Sequence, residues 1–115
     1  MKNFTELIAK LKIILDHYLD SVNNSFKVMF CIEKMNIHSP KDISMLLNIA
    51  KSNLTILVSK LRIQRYITQI KVNKKEISYS LTELGREKLN NKINSIKIAE
   101  EDKEFILKNL QNVLN

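Results

Sequence analysis

The apolar residues of this chain follow one period, switch to a second, and return to the first. That switch limits the fold more than any other feature. From the start they fall at Phe4, Leu7, Ile8, Leu11, Ile14, Leu15, Tyr18, Leu19 and Val22, which is one stripe of an amphipathic helix. "FKVMFCIEKMN" is apolar nearly all round, as a central helix is. Later, in "EISYSL", Ile77, Tyr79 and Leu81 alternate with Ser78 and Ser80, the period of a half-buried strand. "ITQIKVN" is its expected partner, with an alternation that slips around Gln69–Ile70. "NKKE" turns between them and carries Lys74 and Lys75 at its tip. After the strands, "TELGREKLNNKINSIK" and "EEDKEFILKNLQNVLN" read as helices again, the second with a stripe at Ile106, Leu110, Val113 and Leu114. One Gly and one Pro in 115 residues leave the helices little to interrupt them.

The helix ends carry their own signals. Ser25 is expected to cap the second helix. Ser39, Pro40 and Asp42 open a third as N-cap, first helical residue and capping-box acid. Asn48 suits the left-handed residue that closes it. The fourth helix follows almost at once, with Leu54, Leu57, Val58 and Leu61 as its buried stripe. Lys51, Ser52, Asn53, Thr55, Ile56, Ser59 and Lys60 then face elsewhere. Thr82 is the expected N-cap of the fifth helix, with Glu83 near its positive end. Two helices joined by "NIA" describe a helix-turn-helix, and a hairpin directly after them describes a wing.

Charge is distributed along the same frame. Between Lys51 and Lys75 stand seven basic residues (Lys51, Lys60, Arg62, Arg65, Lys71, Lys74, Lys75) and no carboxylate, and the chain's formal net charge is also +7. A solvated helix face usually mixes signs. A surface meeting a polyanion excludes carboxylates and gains counterion release from each cation. Coincidence of charge, helix pair and hairpin points to double-stranded DNA. The fourth helix would enter the major groove, with Ser52, Asn53 and Thr55 near base edges and Lys51 and Lys60 near phosphates. Lys74 and Lys75 would reach a phosphate or the minor groove. The alternative is a winged-helix interaction module that docks an acidic protein and binds no DNA.

Other functions find little in the chain. The lone Cys31 excludes an internal disulfide framework and fits a reducing compartment. No apolar run approaches a membrane span of about 20 residues, and the N-terminus lacks a signal-peptide pattern, so no membrane partner and a cytoplasmic location are expected. There is no Gly-rich phosphate loop and no catalytic arrangement of Ser, His and Asp, so the chain is not expected to be an enzyme. No cofactor is expected, and two separated histidines with one cysteine make no metal-ligand spacing.

The stretch "DISMLLNIAKSNLTILVSKLRIQRYITQIKVNKKEISYSLTELGREKL" resembles the winged helix-turn-helix core of MarR-type bacterial transcriptional regulators. "KSNLTILVSKL" is similar to their recognition helix, "NKKEISYSLTELG" to the second half of the wing, and "IAEEDKEFILKNL" to the last helix. The resemblance implies a homodimer, with the first and the last two helices interleaved between subunits, on a near-palindromic operator. It implies DNA contacts from Lys51, Ser52, Asn53, Thr55, Ile56, Ser59, Lys60, Arg62, Lys71, Asn73, Lys74 and Lys75. The chain departs from the family at several of these. Ala50 stands where the family usually has a capping Ser, Ile56 replaces a common Arg, and Ser59 a common Asp. Arg65 replaces the Gly before the wing, and Asn73-Lys74-Lys75 replaces Asp-Arg-Arg.

The expected fold is therefore mainly α with a small β-hairpin wing. One domain spans residues 1–115, with 25–82 as the DNA-binding core and 1–24 and 83–115 as dimerisation helices. The terminal stripes offer more apolar surface than the core could cover, so pairing about a two-fold axis is preferred to folding back on the same subunit. His17 and Tyr18 are candidates for a pocket taking a small-molecule effector. Cys31 is a candidate redox site, though its apolar neighbours favour a packing role. Asp16 and Asp20 read as a solvated face, Met29, Met35 and Met45 as core filler, and Phe4, Phe26, Phe30 and Phe105 as core or interface.

Overall fold

The computed structural model describes residues 4–19 and 22–114. Asp20 lies outside the described residues, as do the side chains of Leu19, Val113 and Leu114. In order, the elements are α1 (Phe4–Leu19), α2 (Asn24–Glu33), α3 (Pro40–Leu47), α4 (Lys51–Ile63), β1 (Ile67–Lys71), β2 (Ile77–Leu81), α5 (Glu83–Ser95) and α6 (Glu100–Leu114). The expected winged helix-turn-helix is present. The chain forms two compact units: residues 22–94, and the two ends 1–21 and 95–115.

The 22–94 unit is built on α2. Its buried Val28, Met29, Cys31 and Ile32 meet Ile43 of α3, the α4 stripe of Leu54, Val58 and Leu61, Ile67 of β1, and Tyr79 and Leu81 of β2. Leu89 of α5 joins them. Full burial of each such side chain stabilises the fold by roughly 1.5–3 kcal/mol.

The α2 cap differs from expectation. Asn23 caps the helix through its side-chain oxygen, which accepts from the Phe26 N–H at 2.9 Å, and Ser25 sits inside the first turn. Either residue type can cap; Asn23 holds the extended backbone that a cap needs. α3 follows the sequence closely. Ser39 Oγ accepts from the Asp42 N–H at 3.1 Å, Pro40 occupies the first turn, and Asn48 is left-handed at φ 53. Met29 is buried, but Met35 and Met45 are 47% and 70% exposed and are not core filler. On α3, with only eight residues, Ile43 takes the single fully buried position and Met45 falls on the opposite side.

β1 and β2 pair antiparallel, Ile67 with Leu81 through Lys71 with Ile77. Only Ile67 of β1 is buried, which accounts for the broken alternation. The turn closes without Gly because the Asn73 side-chain oxygen accepts from the N–H groups of Lys75 and Glu76, at 2.9 and 3.0 Å. Ahead of the hairpin Arg65 takes a left-handed φ of 66, a conformation Gly adopts with least cost.

"SLTELG" has a mechanical role. The Thr82 hydroxyl donates to the Arg65 carbonyl at 2.6 Å and accepts from the Gly85 N–H at 2.9 Å. It thus caps α5 and anchors the turn before β1. The Thr82 N–H donates to the Tyr66 carbonyl. A β-carbon on Gly85 would stand 2.1 Å from that same carbonyl oxygen, so only Gly lets α5 start there.

In the terminal unit α1 and α6 pack together. Leu11 is the one buried hydrophobic among its described residues, while Phe4, Ile8, Leu15, Leu107 and Leu110 are exposed. Polar contacts reinforce the pair. The Tyr18 hydroxyl donates to the Asp102 carboxylate and accepts from the Ala99 N–H at 3.2 Å. The Lys10 ammonium lies 4.2 Å from the centre of the Phe105 ring.

Candidate nucleic-acid interface

The outer face of α4 follows from its buried one. With Leu54, Val58 and Leu61 inward and Leu57 half-buried, a period of 3.6 residues puts Ser52, Ile56, Ser59 and Ile63 along the opposite midline. Thr55 lies to one side of that line, with Lys51 and Arg62 further round. Lys60 lies on the other side, with Asn53 beyond it. All of these outward residues are exposed. Ala50 supplies no side-chain bond to the start of the helix, so its first N–H groups are open to an outside acceptor.

The wing adds Lys71, Asn73, Lys74 and Lys75, also exposed. Lys51, at the start of α4, and Lys75, in the wing turn, line one cleft of about 640 Å³, together with Ser39, Lys41 and Asp42 at the start of α3. The helix start and the wing tip therefore border a common space. Among the described residues, no cation of the Lys51–Lys75 window forms an ion pair; the ion pairs are Lys12–Asp16, Arg86–Glu33 and Lys103–Glu100. Lys51 and Lys75 meet at this cleft because α4 and the hairpin belong to the same unit.

Some predicted roles change. Thr55, expected near base edges, gives its hydroxyl proton to the Lys51 carbonyl at 2.9 Å. The Asn73 oxygen is occupied by the turn. Gln69 had no predicted part, yet its side-chain oxygen accepts from the Arg62 guanidinium at 3.1 Å. That bond steadies a cation at the edge of a second, shallower cleft of about 580 Å³ that Ser59 and Thr68 also line. Nothing local in the sequence joins Gln69 to Arg62, because the intervening turn at Arg65 sets their distance. His38 bridges instead of binding: its ring nitrogens lie 2.8 Å from the Tyr79 carbonyl oxygen and 2.7 Å from the Asn36 side-chain oxygen. The Tyr79 N–H in turn donates to the His38 carbonyl, which ties the loop before α3 to β2.

The weaker candidates lie away from this face. Cys31 is 2% exposed, and burial pushes its thiol above its ordinary value; both features oppose the exposed thiolate that redox chemistry uses. His17 is exposed, with its ring edge-on to Tyr18 at 5.0 Å. The Tyr18 hydroxyl is held by Asp102, whose carboxylate raises its pKa. No group of three metal-ligating side chains occurs among the described residues. No helix there is long and apolar enough to cross a membrane.

No protein-family model and no curated protein matches the chain. Solved structures do match it. Wild-type MarR from E. coli in its apo form aligns with a TM-score of 0.69 at 16% identity, covering 100% of this chain and 99% of that one. The chain has the MarR-type winged-helix fold. A mutant E. coli MarR complexed with operator DNA aligns at TM-score 0.59 and 16% identity, over 96% of this chain and 90% of the other. FabT from Streptococcus pneumoniae, in complex with DNA, aligns at 0.60 and 15%, over 96% and 92%. The alignments cover residues of both compact units, at sequence identities of 15–16%.

Proposed function

We propose that the chain is a sequence-specific, double-stranded DNA-binding transcriptional regulator that acts in the cytoplasm as a homodimer on a near-palindromic site. The observation that carries this reading is the set of exposed, unpaired cations on α4 and the wing, in a stretch without one opposing carboxylate. Structures of the same fold bound to DNA, from E. coli and S. pneumoniae, support it. Ser52, Asn53, Thr55, Ile56 and Ser59 would meet base edges. Lys51, Lys60 and Arg62 would take phosphates beside the groove. Lys71, Asn73, Lys74 and Lys75 would follow the backbone or enter the minor groove, where lysine lacks the planar fork of arginine.

The exposed apolar residues of α1 and α6 favour pairing with a second copy, which sets two recognition helices about 34 Å apart. A small-molecule effector, implied by the resemblance, would be read as a change in DNA affinity when it binds.

A DNA titration at two salt concentrations tests the reading. Affinity should fall steeply with salt, with log K changing by about 0.9 per log unit of salt for each phosphate neutralised. Lys74→Ala with Lys75→Ala should lower affinity and flatten that slope. A chain that binds no duplex but captures an acidic protein would replace this reading with the interaction-module one.

A further inference from the structure

The outward midline of α4 is polar at Ser52 and Ser59 but has Ile56 between them, 57% exposed. An exposed isoleucine on a helix is unremarkable by itself. Here it occupies the centre of the face that the 3.6-residue period turns away from the core. The neighbouring Thr55 strengthens the pattern. Its hydroxyl proton is spent on the Lys51 carbonyl, so it has no proton to donate outward and offers its γ-methyl beside an oxygen that can only accept. Ile56 on the midline and Thr55 beside it therefore add methyl groups between Ser52 and Ser59, with Ile63 exposed further along at the helix end.

Major-groove edges offer few surfaces that suit methyls. Guanine, cytosine and adenine present hydrogen-bond donors and acceptors there, and thymine alone adds an apolar group, its C5-methyl. Against any other base, Ile56 would strip water from a polar edge and supply no replacement bond, which is unfavourable. Against thymine it would bury one methyl on another. On the DNA-binding reading above, we infer that Thr55 and Ile56 are a specificity pair that selects thymine through its C5-methyl group. The helix thus chooses its site partly by apolar contact and partly by excluding the other bases. The flanking serines and lysines set position and affinity.

Deoxyuridine tests this directly, because it removes the thymine methyl and keeps every hydrogen-bonding group. Duplexes selected by the full-length chain from a random pool are resynthesised with deoxyuridine at each thymine in turn. Wild type should lose about three- to fivefold in affinity at one or more thymines of the site, the worth of one buried methyl. Ile56→Ala should bind the thymine duplex more weakly and lose its sensitivity to deoxyuridine at the same positions. Thr55→Ser, which keeps the hydroxyl and removes the methyl, should reduce that sensitivity, while Thr55→Val should keep it. Wild-type binding that ignores deoxyuridine at every position overturns the inference. So does a deoxyuridine penalty that survives undiminished in both Ile56→Ala and Thr55→Ser. A chain that selects no duplex at all overturns the DNA reading and this inference together, so the two failures are told apart.

Discussion

The two compact units handle their apolar residues differently. The 22–94 unit encloses a continuous cluster from Val28 to Leu89, with each of its six elements contributing at least one buried side chain. The terminal unit buries Leu11 among its described residues and leaves Ile8, Leu107 and Leu110 exposed. One unit completes its core from its own sequence. The other has two amphipathic helices with apolar surface to spare, the condition in which a chain seeks a partner. Stability of the first should therefore be independent of protein concentration, while that of the second should rise with it.

Gly85→Ala puts most strain on this contrast. With a backbone oxygen 2.1 Å from the new β-carbon, α5 must shift off Tyr66. A loss on the order of 3 kcal/mol or more is expected in denaturant unfolding. Full stability in this variant would mean that α5 is not held as described. Leu54→Ala should cost about 2–5 kcal/mol through the cavity it leaves, by the same amount at low and high protein concentration. A cost that shrank on dilution would break the claim that the winged unit is self-sufficient. On the dimer proposed above, Leu107→Glu in the terminal unit, at a residue 66% exposed, should leave far-ultraviolet dichroism unchanged but shift sedimentation towards the monomer. A dimer that survives both this change and Ile8→Glu would move the pairing surface elsewhere. The smallest effect belongs to Arg65→Gly. Relief of the left-handed strain at φ 66 exceeds the added freedom of the unfolded chain, for a gain of roughly 0.5–1 kcal/mol. Unchanged or lower stability would show that Arg65 compensates its backbone through contacts of its side chain.

Legibility in the sequence follows the range of each interaction. The Ser39 cap, the Asn48 terminus, the Thr82 cap and the α4 stripe depend on neighbours within one or two turns, and all are present. At the start of α2, Asn23 and Ser25 are both competent caps, and only the path of the chain selects Asn23. Met35 and Met45 are exposed rather than buried, because an apolar residue near a short helix does not declare which side faces the core. At the candidate interface, exposure of the cations could be anticipated from their charge and from the buried stripe beneath them. The spent hydroxyl of Thr55 could not, because serine and threonine in helices can turn to solvent or back to the i−4 carbonyl.

Periodicity and capping are local, so the chain's own residues determine the six helices and the hairpin of the described residues, and the carboxylate-free stretch from Lys51 to Lys75. Three features were decided in three dimensions: the cleft that Lys51 and Lys75 share, the Gln69 hold on Arg62, and the passage of Gly85 over the Tyr66 carbonyl. Each joins residues whose separation is set by intervening turns, and the geometry of those turns comes from packing against the common core.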